Sequence, residues 1–380
     1  MSGLRWTTAG ESHGTALVGV LEGLPSGLPL DIAAIDALLA RRQRGHGRSA
    51  RQQLEQDHVE VLAGLRGGHT LGSPLALLIR NRDATIETLP VPDNPRPGHA
   101  DLAGCQKHGV RDPRLVLERA SARETAIRSA LGAAAAQLLA QFGIEVFAHV
   151  VELGAERAHV EAAPLPRAER EARRAASAVA CLDSEAEARI VARIDAARSE
   201  LDSLGGVFEV LAFGLPPGLG GYADPRERLS ARLGGALFSI PAIKGVEIGL
   251  GFEAARQPGS RFHDPIVAAQ GSGGRYARAS NRAGGLEGGM TTGEVLVLRA
   301  AMKPIPTLRQ GVPTVEFASG APVRATYQRS DVTSVPAASV VGEALVALVL
   351  ADALLQKLGG DSIEQVRQAW GAWRAQLEVL

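Results

Sequence analysis

The sequence predicts an α+β protein organised as one domain over residues 1–380, and three observations carry that reading. Short β-like runs alternate with glycine-rich turns in the first hundred residues. Capped, alanine-rich helices occupy the middle of the chain. A long apolar helix lies near its end. The β-like runs fall at residues 16–21, 59–62 and 75–79, with a helix expected over 31–42. Ser121-Ala122-Arg123-Glu124 matches a capping box, in which serine and glutamate satisfy each other's backbone donors, and predicts a helix over 121–142 stopped by Gly143. A second box, Ser184-Glu185-Ala186-Glu187, predicts a helix ending at Gly205-Gly206, with Ile190, Ile194, Ala197, Leu201 and Leu204 as its apolar stripe. Residues 161–174 are polar and alanine-rich and read as a surface excursion, and 295–300 read as a strand. The apolar run 337–358 is interrupted by Glu343 and Asp352, so a buried helix over 338–358 is expected rather than a membrane span.

Composition narrows the function classes. Hydrophobic residues make up 45% and charged residues 22%, as in a soluble globular protein. Acidic and basic residues balance at 41 each, which argues against a bulk polyanion binder. With aromatics at 4%, base stacking would find few platforms, so no nucleic-acid partner is expected. The two cysteines, Cys105 and Cys181, have neither metal-ligand spacing nor the density of a disulfide scaffold. No metal site and a reducing compartment are expected. The start, Met1 to Trp6, lacks the apolar core of a signal peptide, so the expected location is cytoplasmic, with no membrane partner.

Chemistry concentrates in a few segments. His13 and His99 lie in glycine turns, Gly10-Glu11-Ser12-His13-Gly14 and Arg96-Pro97-Gly98-His99-Ala100-Asp101. Histidine titrates nearest neutrality and suits general-acid work, and glycine lets backbone and ligand approach closely. Either turn taken singly reads equally well as an ordinary polar loop. Arg41, Arg42, Arg44, Arg48 and Arg51 surround Gly45 and Gly47, either as a solvated charged loop or as guanidinium groups folded onto a polyanionic small molecule. Arg119-Ala120-Ser121-Ala122-Arg123 opens a helix, where free N–H groups and the dipole favour an anion. The run 284–293 has the composition of a loop lying flat against a ligand, without a dinucleotide fingerprint. Lys303-Pro304-Ile305-Pro306-Thr307 is stiffened by its prolines. In Arg329-Ser330-Asp331 the carboxylate stands two residues from the guanidinium, as a surface ion pair or as a base held near positive charge. Only four of the 41 basic residues are lysines (Lys107, Lys244, Lys303, Lys357), so arginine, with its planar five-donor fork, dominates anion recognition here.

In order along the chain, these segments resemble the chorismate synthase family. The residues carrying the resemblance are 10–14, Arg41-Arg42-Gln43, 96–101, Ser121-Ala122-Arg123-Glu124-Thr125-Ala126, Lys244-Gly245-Val246-Glu247, 284–293, 303–307 and 329–331. The resemblance implies a β-α-β sandwich with a helical layer between antiparallel sheets, assembled as a homotetramer. It implies 1,4-elimination of phosphate from 5-enolpyruvylshikimate 3-phosphate to give chorismate, requiring reduced FMN with no net redox change. That places the chain among lyases of the shikimate pathway of aromatic amino acid biosynthesis. His13 would protonate the departing phosphate, His99 would serve the flavin, and Asp331 would take the proton from carbon 6. FMN would contact Arg119, Ala120, Ser121, Pro241, Ala242, Gly288, Lys303, Pro304, Ile305, Pro306, Thr307 and Arg329. Arg42 and Arg48 match positions associated with NADPH or substrate anions, and Arg96 is expected to face substrate. Two positions depart from the family pattern. Pro241 replaces a side-chain amide, so contact there must come from backbone, and Arg44 replaces a small residue or proline. The compact chain carries no added reductase segment, so NADPH would act through a separate flavin reductase. The competing readings are a flavin-dependent NADPH oxidoreductase, which consumes NADPH without releasing phosphate, and a non-catalytic anion-binding module.

Overall fold

The structure is a computed structural model that describes residues 3–48, 56–268, 276–327 and 330–379. The first sheet contains β1 (Arg5–Ala9), β2 (Ala16–Glu22), β3 (Glu60–Ala63) and β4 (Leu75–Arg80), in the order β1-β2-β4-β3 and antiparallel throughout. Residues alternate buried and half-buried along β2, with Leu17 and Leu21 fully enclosed, the period of a strand with one face on a core. Between β2 and β3 runs α1 (Ile32–Gln43), whose Asp31 cap accepts from the Ala33 N–H at 2.9 Å.

The helices α2 (Asp101–His108), α3 (Arg114–Ala120) and α4 (Thr125–Ala140) follow, and then the second sheet begins with β5 (Glu145–Leu153). After α5 (Arg167–Ala176) and α6 (Ser184–Ser199) come β6 (Gly206–Phe213), α7 (Leu229–Phe238), β7 (Ile243–Ile248) and β8 (Leu296–Met302). This sheet is also antiparallel, in the order β7-β8-β6-β5, with the short strand Glu156–Arg157 on its β5 edge. The chain ends with α8 (Val335–Leu358) and α9 (Ile363–Val379).

Contacts between these layers establish the sandwich. Ile127 and Leu131 of α4 lie against Gly19 of β2. On its other side α4 crosses α8 so closely that a Cβ at Gly132 would stand 2.3 Å from the Ala344 carbonyl oxygen. In turn α8 rests on the second sheet, where a Cβ at Gly342 would stand 2.5 Å from the Phe208 ring. Helices thus fill the space between two antiparallel sheets, the arrangement the family resemblance implies. The apolar run that closes the sandwich is long enough to cross a membrane, but 89% of its most apolar window is packed inside the protein. One charge within it, Glu343, is answered from three sides. Arg41 binds it in bidentate fashion at 2.8 and 2.9 Å, Arg174 donates at 2.8 Å, and the Ala148 N–H donates at 2.9 Å.

Four local expectations are corrected. Ser121 does accept from the Arg123 N–H, but it caps a single 3-10 turn, Ala122–Glu124, and the α-helix begins at Thr125. Glu124 does not complete the box; its carboxylate accepts from Thr8 at 2.5 Å and Arg128 at 2.9 Å. The cap of α6 is Asp183 rather than Ser184, and the helix stops at Ser199, leaving Leu201 exposed in a left-handed conformation. The polar stretch near residue 170 is no simple surface excursion. There α5 buries Arg170 over the Phe213 and Phe147 rings, with its guanidinium 3.8 Å from the Phe213 centroid.

Candidate active site

Both predicted histidines are built into the same device, a carboxylate held between the imidazole and an arginine. The His13 turn is fastened to α3. The Ser12 N–H donates to the Glu118 carbonyl at 3.0 Å, and the His13 N–H donates to Glu118 Oε2 at 2.9 Å. His13 Nδ1 lies 2.9 Å from Oε2 of that carboxylate, while Arg114 donates to Oε1 at 2.9 Å. Burial pushes the Glu118 carboxyl up, but His13 and Arg114 more than reverse this and hold it at about 2. Across the ring, His13 Nε2 faces Asp83 at 3.8 Å.

In the second turn Asp101, the first residue of α2, accepts from Arg96 Nε at 2.7 Å and Nη2 at 3.0 Å. His99 Nδ1 stands 2.6 Å from Asp101 Oδ1. Burial opposes the charge on Asp101, yet His99 and Arg96 hold its carboxyl well below the usual carboxylate range. The Lys303 ammonium donates to the Gly98 carbonyl and ties this turn to the proline-stiffened segment. Burial and the neighbouring Lys244 lower the Lys303 pKa.

A cavity of about 230 Å³ opens between the helical layer and the second sheet. Arg42, Arg48, Arg123 and Asp331 line it together with Ser12 and Ser121. Its apolar lining includes Pro241, Met302, Ile305 and Val341. The arginine loop therefore folds inward at Arg42 and Arg48, while Arg41 serves Glu343, and Arg51 lies outside the described residues. Arg42 is buried and donates to the Ala122 carbonyl and the Thr125 hydroxyl, each at 2.8 Å. Burial lowers its pKa to about 10, which leaves it cationic at neutral pH. Gly47 (φ 87°) has no room for a side chain, since a Cβ would stand 2.9 Å from Ile194. Its carbonyl accepts from the Val332 N–H at 2.9 Å, which sets Arg48 beside Asp331 at 3.1 Å, both nearly buried. Asp331 thus sits near positive charge, with Arg48 at contact distance. Arg329, named by the sequence spacing, lies outside the described residues.

The other expected contacts divide between this cavity and its surroundings. Ser121, Pro241 and Ile305 line it. Ala242 is left-handed (φ 71°) and accepts from the Lys303 N–H at 3.0 Å, which couples the 241–242 turn to the 303–307 segment. The Thr307 carbonyl accepts from Ser330 at 2.7 Å, and its hydroxyl lies 3.5 Å from Arg96. Ala120 ends α3. The Arg119 guanidinium turns back to the carbonyls of Thr8 and Gly10, each at 3.0 Å. Gly288 lines a different cavity, with Arg228, His263 and Asp264. Glu118, Asp83 and the cavity-lining Ser12 were not singled out from sequence. The contacts that bring them to the site span 70 to 109 residues, and no local pattern announces those contacts. Among the described residues no cluster of histidine, cysteine and acidic side chains could hold a metal.

A family model described as chorismate synthase matches residues 4–355. The chain belongs to the chorismate synthase family. It is 52% identical over 396 positions to the chorismate synthase of Parafrankia sp. (strain EAN1pec), covering 99% of this chain and all of that one. The chorismate synthase of Acidothermus cellulolyticus is likewise 52% identical, over 395 positions with the same coverage. A solved structure described as a crystal structure of chorismate synthase aligns over the full length of both chains, at 41% identity and a TM-score of 0.83. Membership places the chain among carbon–oxygen lyases that act on phosphates.

Proposed function

We propose that the chain converts 5-enolpyruvylshikimate 3-phosphate to chorismate by 1,4-elimination of phosphate, with reduced FMN bound in the arginine-lined cavity. The observation that carries this reading is the cavity's two-sided chemistry, three guanidinium groups facing an apolar wall. The substrate brings two carboxylates and a phosphate to the arginines, and a flat aromatic cofactor suits Pro241, Met302 and Ile305. One further feature fits an anionic occupant: Arg48 Nε is buried and finds no acceptor among the described residues.

On this reading residues 1–380 act as a single domain. Ala120, Ser121, Pro241, Ala242, Lys303 to Thr307 and Arg329 hold the flavin, with Arg119 and Gly288 in the same set. When bound, the flavin supplies reversible electron donation to the allylic system, and no oxidising equivalents are spent. The remaining work belongs to side chains. Arg42, Arg48 and Arg96 orient the substrate and neutralise the phosphate as its bond to carbon 3 breaks. His13 gives a proton to the departing phosphate, His99 holds a proton for the flavin, and Asp331 takes the proton leaving carbon 6. Phosphate and the ring proton leave together in count, so the product is neither oxidised nor reduced. NADPH enters through a separate flavin reductase. A homotetramer in the cytoplasm is the proposed working form.

Purified protein, 5-enolpyruvylshikimate 3-phosphate and dithionite-reduced FMN, mixed without oxygen, should release phosphate and chorismate in equal amounts. Omitting the flavin should abolish both. Absence of stoichiometric products from the complete mixture would overturn the proposal.

A further inference from the structure

We propose that Glu118 and Asp101 are positioning residues that fix a proton on Nδ1 of His13 and His99, leaving Nε2 of each ring as the atom that exchanges protons. The inference rests on the assignment of His13 and His99 as proton carriers and adds which nitrogen carries the proton.

Donor arithmetic supports the assignment at His99. Arginine has only donors. Arg96 directs its Nε and its backbone N–H to Asp101 Oδ2, at 2.7 and 3.1 Å, and its Nη2 to Oδ1. The same Oδ1 stands 2.6 Å from His99 Nδ1, a charge-assisted distance that calls for an N–H on the ring. Arg96 Nη2 also approaches Nδ1, at 3.1 Å, but that contact is longer, and a bare Nδ1 lone pair could not stand 2.6 Å from an ionised carboxylate oxygen. At His13 the carboxylate again receives donors on both oxygens, Arg114 on Oε1 and the His13 backbone N–H on Oε2. Nδ1 lies within 3.1 Å of both, so it too must donate. The two constructions share no element, yet they produce the same tautomer. Aspartate in the serine-protease triad fixes its histidine in the same manner.

Replacing Asp101 with asparagine makes a clean test. Arg96 presents two donors to Oδ2 and one to Oδ1, so the amide oxygen is favoured at Oδ2, and the NH2 left at Oδ1 then faces both Arg96 Nη2 and His99 Nδ1, which accepts only with its neutral proton on Nε2. In Glu118→Gln every orientation sets an amide N–H against a donor. Magic-angle-spinning 15N spectra of the full-length, histidine-labelled protein at about pH 8.5, above the usual histidine range, read the tautomers directly. His13→Ala and His99→Ala identify the two signals. The wild type should show Nδ1–H at both rings, and Asp101→Asn should move the His99 proton to Nε2. Turnover of both carboxylate variants should fall on the order of tenfold to a hundredfold, with the Michaelis constant for substrate nearly unchanged. A wild-type spectrum with the proton on Nε2 of either ring overturns the inference whether or not any variant folds. Wild-type turnover in a folded Asp101→Asn or Glu118→Gln variant overturns it as well. Full activity in His13→Ala or His99→Ala would instead sink the proton-carrier reading, and the wild-type tautomers would still stand as measured.

Discussion

Glu118→Gln should flatten the acid limb of the stability curve, by an amount that follows from the Glu118 site. The Glu118 carboxyl is nearly buried and sits at about 2 in the folded protein, against 4.5 as its ordinary value. A depressed pKa contributes stability that is fully present above 4.5 and is lost as pH falls toward 2. Linkage between the two values gives a loss of about 1.4 kcal/mol on going from about pH 5.5 to about pH 3.5, close to one proton taken up on unfolding at the lower end. Glutamine cannot take up that proton. The variant should be less stable than wild type at pH 5.5 and should lose less on acidification, so the gap narrows by about 1.4 kcal/mol at pH 3.5. Urea melts at fixed protein concentration at both pH values measure the gap directly. Equal acid sensitivity in the two proteins would refute the description of Glu118 as a carboxylate held ionised by His13 and Arg114.

Other perturbations test separate parts of the structure. Glu343→Gln leaves Arg41 and Arg174 without their shared carboxylate and should cost about 3–5 kcal/mol in urea unfolding; a loss under 1 kcal/mol would show that solvent replaces it, or Glu171, whose charge also acts on both arginines. Gly132→Ala forces apart the crossing of α4 and α8 and should lower stability by about 1–3 kcal/mol or more, whereas a neutral result would mean that the helices can separate freely. His13→Ala, His99→Ala and Asp331→Asn should each keep flavin binding, measured by fluorescence quenching, while losing most turnover. An Asp331→Asn protein of unchanged activity would make that residue only the ion-pair partner of Arg48.

Local rules recovered much of the fold. The helix expected over 31–42 matches α1, 32–43, to within a residue, and its Asp31 cap and buried Ile35, Leu38 and Leu39 all lie within that segment. The β-like run 75–79 likewise matched β4, 75–80. Errors arose where two neighbouring side chains could do the same job. Asp183 and Ser184 can both cap a helix, and only the structure shows Asp183 receiving the Glu185 and Ala186 N–H groups. Glu124 had the right spacing for a capping box, but Thr8, on a strand 116 residues away, supplied a competing donor. Arg170 looked solvated because the aromatic faces that cover it belong to other segments.

For the site, residue types in glycine turns were legible while their partnerships were not. Arg48 reaches Asp331 across most of the chain, a pairing that the local spacing of Arg329 to Asp331 could not announce. The carboxylate that orients His13 is 105 residues distant. Pairings of this kind come from the sandwich topology, which brings the turn after α3, the arginine loop and the start of α8 to one cavity. Composition and periodicity carry no record of such convergence.

A multiple-turnover experiment under strict anaerobiosis bears most directly on the central claim. Photoreduced FMN is supplied well below the substrate concentration, and phosphate, chorismate and flavin absorbance are followed in the same sample. Phosphate and chorismate should appear in equal amounts, in large excess over flavin, while the flavin remains reduced. Oxidation of one flavin per product, or consumption of flavin without phosphate release, would contradict a redox-neutral elimination at this site.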